Sequence, residues 1–197
     1  MRSSRWARAV FALIAIVALV WGAALAYSLV RSPVSGTSAY GASAAVACPA
    51  GLKPVVVGTV VVPAGPVAGF CQDRLINAAH IVNAAKSLNL GPHAQALGVM
   101  TAIGESNLRV LNYGDAAGAD SRGLFQQRDN GAWGTLADRM NPFVSATHFY
   151  ESLVNVDNWA TLDPSLAAHR VQANSDPAYY DPFWPQAQEI VTALTPQ

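Results

Sequence analysis

Between Lys86 and Glu105 the chain carries no Asp, Glu, Lys or Arg. Within that stretch, Pro92 to Ile103 is apolar on nearly every face (Ala94, Ala96, Leu97, Val99, Met100, Ala102, Ile103), the pattern of a central buried helix. A carboxyl at the C-terminal end of such a helix is disfavoured as an anion twice over, by burial and by the negative end of the helix dipole. Both effects raise its pKa and keep a proton available near neutral pH, which a general acid in glycoside cleavage requires. The competing reading of the same feature is a glutamate lying in solvent beyond a frayed helix end.

A polar segment follows, from Asn107 to Gly134. It contains Asn112-Tyr113-Gly114-Asp115, Gly123-Leu124-Phe125-Gln126-Gln127-Arg128 and Gly131-Ala132-Trp133-Gly134. Asp115 is a candidate second carboxylate, although an Asp after Tyr-Gly is also a common turn residue. Paired carboxyls stand about 5–5.5 Å apart in retaining glycosidases and about 6.5–9.5 Å apart in inverting ones. Asp120 and Asp129 read as loop caps or solvated charges. Tyr113, Trp133, Tyr150, Trp159, Tyr179 and Tyr180 are candidates for sugar contacts, against the general tendency of aromatics to pack the core. His80, His93, His148 and His169 lack metal-ligand spacing, so no metal is expected. No Gly-rich phosphate loop or Gly-x-Ser-x-Gly elbow is present, and no cofactor is expected.

Several helices must hold these residues. Leu75, Ala79, Val82, Ala85 and Leu88 recur at three- and four-residue steps from Asp73 onward, making one apolar stripe. Gly91-Pro92 ends that helix and opens the next. Helical patterns return at Pro142–Val154, Pro164–Gln172 and Pro182–Leu194, and Pro in the first turn suits each start. No strand-rich region follows residue 72. Residues 72–197 therefore read as a mainly α domain, with one buried helix and one long loop after it.

Glu105-Ser106 at the end of an apolar helix, followed in order by Tyr113-Gly114-Asp115, Gly123-Leu124-Phe125-Gln126 and Trp133-Gly134, resembles the lysozyme-like family of peptidoglycan-cleaving enzymes. That family comprises lytic transglycosylases and goose-type lysozymes; the wording here looks closest to an exported, wall-associated branch in high-GC Gram-positive bacteria. The resemblance spans about residues 73–194, with Phe125 in place of the family's Met. It implies a lysozyme-like helical domain with a substrate-cleft loop. Glu105 matches the single catalytic acid, and Ser106 the serine that supports the glutamate or the substrate. Gly123, Leu124 and Gln126 match the substrate-lining turn. Val171-Gln172 followed by Pro177 and Tyr180 resembles the late cleft segment, so Gln172 and Tyr180 join Tyr113 as substrate contacts; Ala173-Asn174-Ser175 departs from the Arg-Ser often found there. Tyr113-Gly114-Asp115 resembles the Trp-Gly-Asp of goose-type lysozymes, whose acid helps to activate water, whereas transglycosylases lack that carboxylate.

The activity implied is cleavage of the MurNAc–GlcNAc β-1,4 bond of peptidoglycan glycan strands. Lytic transglycosylation leads and hydrolytic muramidase action is the alternative. A non-catalytic wall-binding module is the rival from another class. An accessory part of a secretion or conjugation apparatus shares the chemistry and differs in partners.

The remaining chain agrees with an exported protein. Of 197 residues, 52% are hydrophobic and 12% charged, where roughly 25% charged is usual. The formal net charge is zero, which excludes a polybasic nucleic-acid binder. All twelve acids lie between Asp73 and Glu189, while Arg2, Arg5 and Arg8 form a basic cluster in residues 1–8. Residues 9–30 hold no charge and are long enough to cross a bilayer. With the arginines ahead, this reads as a single-pass signal anchor in the cell membrane, with the C-terminal domain outside. The alternative is a signal peptide cleaved after Ala24-Leu25-Ala26, giving a secreted protein. Residues 31–47, rich in Ser, Ala and Gly, read as a flexible linker. Cys48 and Cys71 follow the export segment, so a disulfide between them is expected. It would close a Val-rich hairpin in residues 48–71; lipidation of Cys48 is the rival reading.

Overall fold

Valine triplets on either side of Gly58-Thr59 form the first elements. β1 (Val55–Val57) and β2 (Val60–Val62) pair antiparallel, with Val55 opposite Val62 and Val57 opposite Val60. Period-two geometry turns Val60 and Val62 inward, where both are buried, and leaves Val56 and Val61 exposed. Asn83 holds the hairpin turn. Its amide donates to the Val57 carbonyl at 2.7 Å, and its carbonyl oxygen accepts from the Thr59 backbone N–H at 3.1 Å. The expected Cys48–Cys71 disulfide is formed, with the Cα atoms 5.3 Å apart. These features come from a computed structural model that describes residues 47–115 and 118–196.

Six α-helices follow among the described residues: α1 (Gln72–Ser87), α2 (Pro92–Ser106), α3 (Leu136–Met140), α4 (Pro142–Leu153), α5 (Pro164–Gln172) and α6 (Trp184–Leu194). A 3-10 turn, Asp181–Phe183, leads into α6. Proline sits in the first turn of α2, α4, α5 and α6, where its missing N–H costs nothing. α2 is the central helix. Every residue from Ala94 to Ile103 is buried, and it packs on α1, α4, α5 and α6. α1 offers Ala78, Ala79, Ala84 and Ala85 among its buried residues and packs along α4 and onto the hairpin. The hairpin and the helices belong to one compact unit, Ala45–Gln197.

The sequence predicts a membrane-spanning helix ahead of the helical domain, but among the described residues no helix is long and apolar enough to cross a membrane, which corrects that expectation. The longest, α1, has 16 residues and rises about 24 Å, short of the roughly 30 Å of a bilayer core. Residues 9–30, read as that span, lie outside the described residues, as do residues 1–8 and nearly all of the linker.

Two further details differ from the periodicity reading. The five-residue α3 is too short to show a helical period, yet Thr135 and Asp138 form a reciprocal capping box that starts it. The segment read as Pro182–Leu194 divides into the 3-10 turn and α6.

Candidate active site

Glu105 occupies the last turn of α2, half-buried. The helix ends at once after it. Asn107 and Leu108 both take left-handed backbone, with φ of 53° and 57°, and α1 holds this reversal. Arg74 Nη1 donates to the Asn107 carbonyl at 2.5 Å, and the Asn77 amide donates to the Leu108 carbonyl at 2.9 Å. The carboxyl is thus fixed at a braced helix end, not on a frayed one.

Tyr180 approaches from the turn before α6 and donates its phenolic O–H to Glu105 Oε1. Gly104 makes the approach possible: a Cβ there would stand 2.8 Å from the Tyr180 ring. Tyr179 donates to the Gly104 carbonyl at 2.9 Å, so two neighbouring tyrosines grip the helix end. Burial raises the Glu105 pKa above the ordinary carboxylate range, opposed by hydrogen bonds from Tyr180 and Gln172 and reinforced by the charge of Asp115. Burial and the adjacent Glu105 also push the Tyr180 phenol up, so Tyr180 remains a proton donor in the hydrogen bond.

The loop after α2 is not irregular throughout. Leu111 bridges to Gly123, whose N–H donates to the Leu111 carbonyl at 2.8 Å, and Arg122 exchanges two backbone hydrogen bonds with Gln127. Inside this reversal Leu124 and Phe125 are buried, and Phe125 stacks on Phe149 with ring centroids 4.9 Å apart. The turn is therefore anchored in the core by two apolar side chains, and the next residue, Gln126, faces outward. Gly123 has a φ of +76°, and a Cβ would collide with the Arg139 carbonyl.

Glu105, Tyr113, Asp115, Gln126, Trp133 and Gln172 are among the residues lining a cleft of about 520 Å³, within the range of small-ligand sites. The wall is mostly uncharged, with amides from Gln126, Asn130, Gln172 and Asn174. Asp115 accepts from the Gly118 N–H at 2.8 Å, which is a turn-forming bond, and its carboxyl also acts on Glu105 through charge. Gln172 donates to the Phe125 carbonyl at 2.8 Å and, beside Glu105 in the cleft, acts to lower the pKa of the acid.

The other candidates take supporting positions. Ser106 is buried, and its hydroxyl donates to the Leu124 carbonyl at 2.8 Å, with the Ala102 carbonyl the alternative acceptor at 3.0 Å; it joins the end of α2 to the cleft turn. Leu124 is in the core with no exposed surface. Gly123 approaches the Arg139 backbone closely and is not part of the cleft wall. Tyr180 is fully buried, so it reaches the site through Glu105 and not through a ligand. Tyr150 lies in the core, and Trp159 stands away from the cleft beside His93. Gln126 and the exposed Tyr113 remain on the cleft surface.

Arg139 is the residue that sequence reasoning missed. Its guanidinium is almost wholly buried, 3.1 Å from Asp129 Oδ1, and donates to the backbone carbonyls of Asp120 at 3.3 Å and Gln127 at 3.4 Å. It holds the loop together from below. The one local signal was its place in the short helix opened by Thr135.

The fold and site define an α-helical protein with a carboxylic acid set at the end of its central helix, facing a polar cleft. No family model matches the chain, and no curated protein sequence matches it.

Proposed function

We propose that the protein cleaves the MurNAc–GlcNAc β-1,4 bond of peptidoglycan by lytic transglycosylation, with Glu105 as its acid and then its base. The observation that carries this reading is the half-buried Glu105 carboxyl, raised in pKa and fixed by Tyr180, at the floor of an amide-lined cleft. A raised carboxyl keeps the proton that a departing sugar oxygen must receive. Glu105 gives this proton to the glycosidic oxygen as the C1–O bond breaks. The muramoyl 6-hydroxyl then bonds to C1 and returns its proton to the Glu105 carboxylate. No water is consumed, and the product ends in a 1,6-anhydro ring. The amides of Gln126, Asn130 and Asn174 suit the hydroxyl and acetamido groups of such a polymer, and Tyr113 and Trp133 supply flat faces for sugar rings.

The sequence resemblance to lysozyme-like enzymes supports the same chemistry, and the Cys48–Cys71 disulfide agrees with export to an oxidising compartment. Asp115 favours a second reading. It shares the cleft with Glu105, and a carboxylate there could direct water to C1 and give reducing ends. Digestion of purified peptidoglycan by wild type and Asp115→Asn separates the two. Transglycosylation predicts that the variant retains activity within a few-fold and forms anhydro ends; abolished activity would support the hydrolytic reading.

A further inference from the structure

Among the described residues that line the cleft, Arg128 is the one cation. Its guanidinium is oriented on one edge only. Nε donates to Asp120 Oδ1 at 3.0 Å, and Nη2 lies 2.9 Å from the same oxygen. Asp120 is itself held, since its Oδ2 accepts from the Asp129 N–H at 2.9 Å. The Asp129 carboxylate is taken in turn by Arg139. Nη1 makes no hydrogen bond among the described residues, and the side chain is 57% exposed. The edge formed by Nη1 and the outer hydrogen of Nη2 therefore carries no hydrogen bond to the described residues, and it is the fork that matches the two oxygens of a carboxylate. Because the loop already holds the guanidinium in place, a ligand need not order it.

The proposed polymer tells which carboxylate could arrive. Its N-acetylated sugars are uncharged, and its anions sit on the lactyl group of the muramoyl residue or on the peptide attached there. We propose that Arg128 forms a subsite for a carboxylate borne on the muramoyl lactyl side chain, so that the protein selects strands carrying that negative charge. The subsite rests on the proposed glycan-cleaving activity and adds a specificity determinant to it.

The test uses the full-length chain, as wild type, Arg128→Gln and Arg128→Lys, on four glycan preparations. Two are peptide-bearing strands, with their carboxylates free or neutralised by carbodiimide amidation. Two are peptide-stripped strands, with the lactyl carboxylate free or amidated. Wild type should show a KM about tenfold lower on free than on amidated strands of at least one kind, with kcat unchanged, and that kind identifies the carboxylate as the peptide's or the lactyl group's own. Arg128→Gln should lose the discrimination, and Arg128→Lys, which keeps the charge without the fork, should retain part of it. Indifference of wild type to amidation on both kinds of strand overturns the subsite, as does an Arg128→Gln defect that is equal on free and amidated strands. If wild type releases nothing from any preparation, the glycan-cleaving reading fails instead, an outcome distinct from either.

Discussion

The phenol of Tyr180 donates its hydrogen bond to the carboxyl of Glu105 across 75 residues of chain. The carboxyl lies at the end of the central helix, and the phenol lies in the turn that enters the last one. Their meeting depends on Gly104, which leaves the ring room to lie against the helix backbone. A partly buried acid held by a phenolic donor has a defined rotamer and a defined second oxygen, as directed proton transfer requires.

Replacing Glu105 by Gln removes the transferable proton with little change of shape. The rate of peptidoglycan cleavage should fall about 10²–10⁴-fold. The same variant should be at least as stable as wild type at neutral pH. Folding raises the Glu105 pKa, so the folded protein binds this proton more tightly than the unfolded chain. The carboxyl then weighs against stability as pH climbs from its unfolded value through its folded one. Thermal melts of the two proteins should therefore diverge at neutral pH and converge below the ordinary carboxylate range. A neutral-pH melting temperature clearly below wild type would contradict this.

Tyr180→Phe should move the pH–rate profile. The phenolic hydrogen bond lowers the Glu105 pKa, so its loss raises that pKa further. An acid must be protonated to act, and the alkaline limb should shift to higher pH. The plateau rate should fall about ten- to a hundredfold as the carboxyl loses its positioning partner. A reduced rate with an unmoved limb would assign Tyr180 a purely structural role.

Much of this arrangement was legible in the residues, and the rest was hidden for identifiable reasons. The hairpin at Val55–Val62 and the buried helix from Pro92 are local patterns, each bounded by Gly or Pro, so periodicity sufficed to find them. The same reasoning puts Glu105 at the end of α2, where it occupies the last turn. α3 escaped because five residues hold no period, and only Thr135 with Asp138 marked its start. The burial of Arg139 follows from the folded loop around it, which no local pattern encodes. The motif positions of Leu124 and Tyr180 point to cleft residues. Both are wholly buried, since a turn that presents Gln126 must anchor its neighbours and a ring that reaches Glu105 must pass beneath the surface. The expected spanning helix has no counterpart among the described residues.

Gly123→Ala should destabilise the protein and disturb the cleft. The backbone there is left-handed, and the added methyl would meet the Arg139 carbonyl. Positive φ at a non-glycine residue costs roughly 1–3 kcal/mol, and the collision adds to it. Urea unfolding should show a lower midpoint with an unchanged slope. A midpoint equal to wild type would mean that the loop relaxes without cost.

The Cys48–Cys71 disulfide has a sequence separation of 23 residues. By chain entropy a bridge of that span stabilises by about 3 kcal/mol. Cys48→Ser with Cys71→Ser should lower the unfolding free energy by about that amount, and a thiol count on the unfolded, unreduced wild type should give none. Two reactive thiols in that count would refute the bridge.

Mass spectrometry of the fragments released from purified peptidoglycan distinguishes internal attack from hydrolysis. The two chemical outcomes differ by one water. Wild type should release muropeptides ending in 1,6-anhydro muramoyl residues, and Glu105→Gln should lose these fragments. Reducing ends in their place would contradict internal attack, and undiminished release by Glu105→Gln would contradict the assignment of the acid itself.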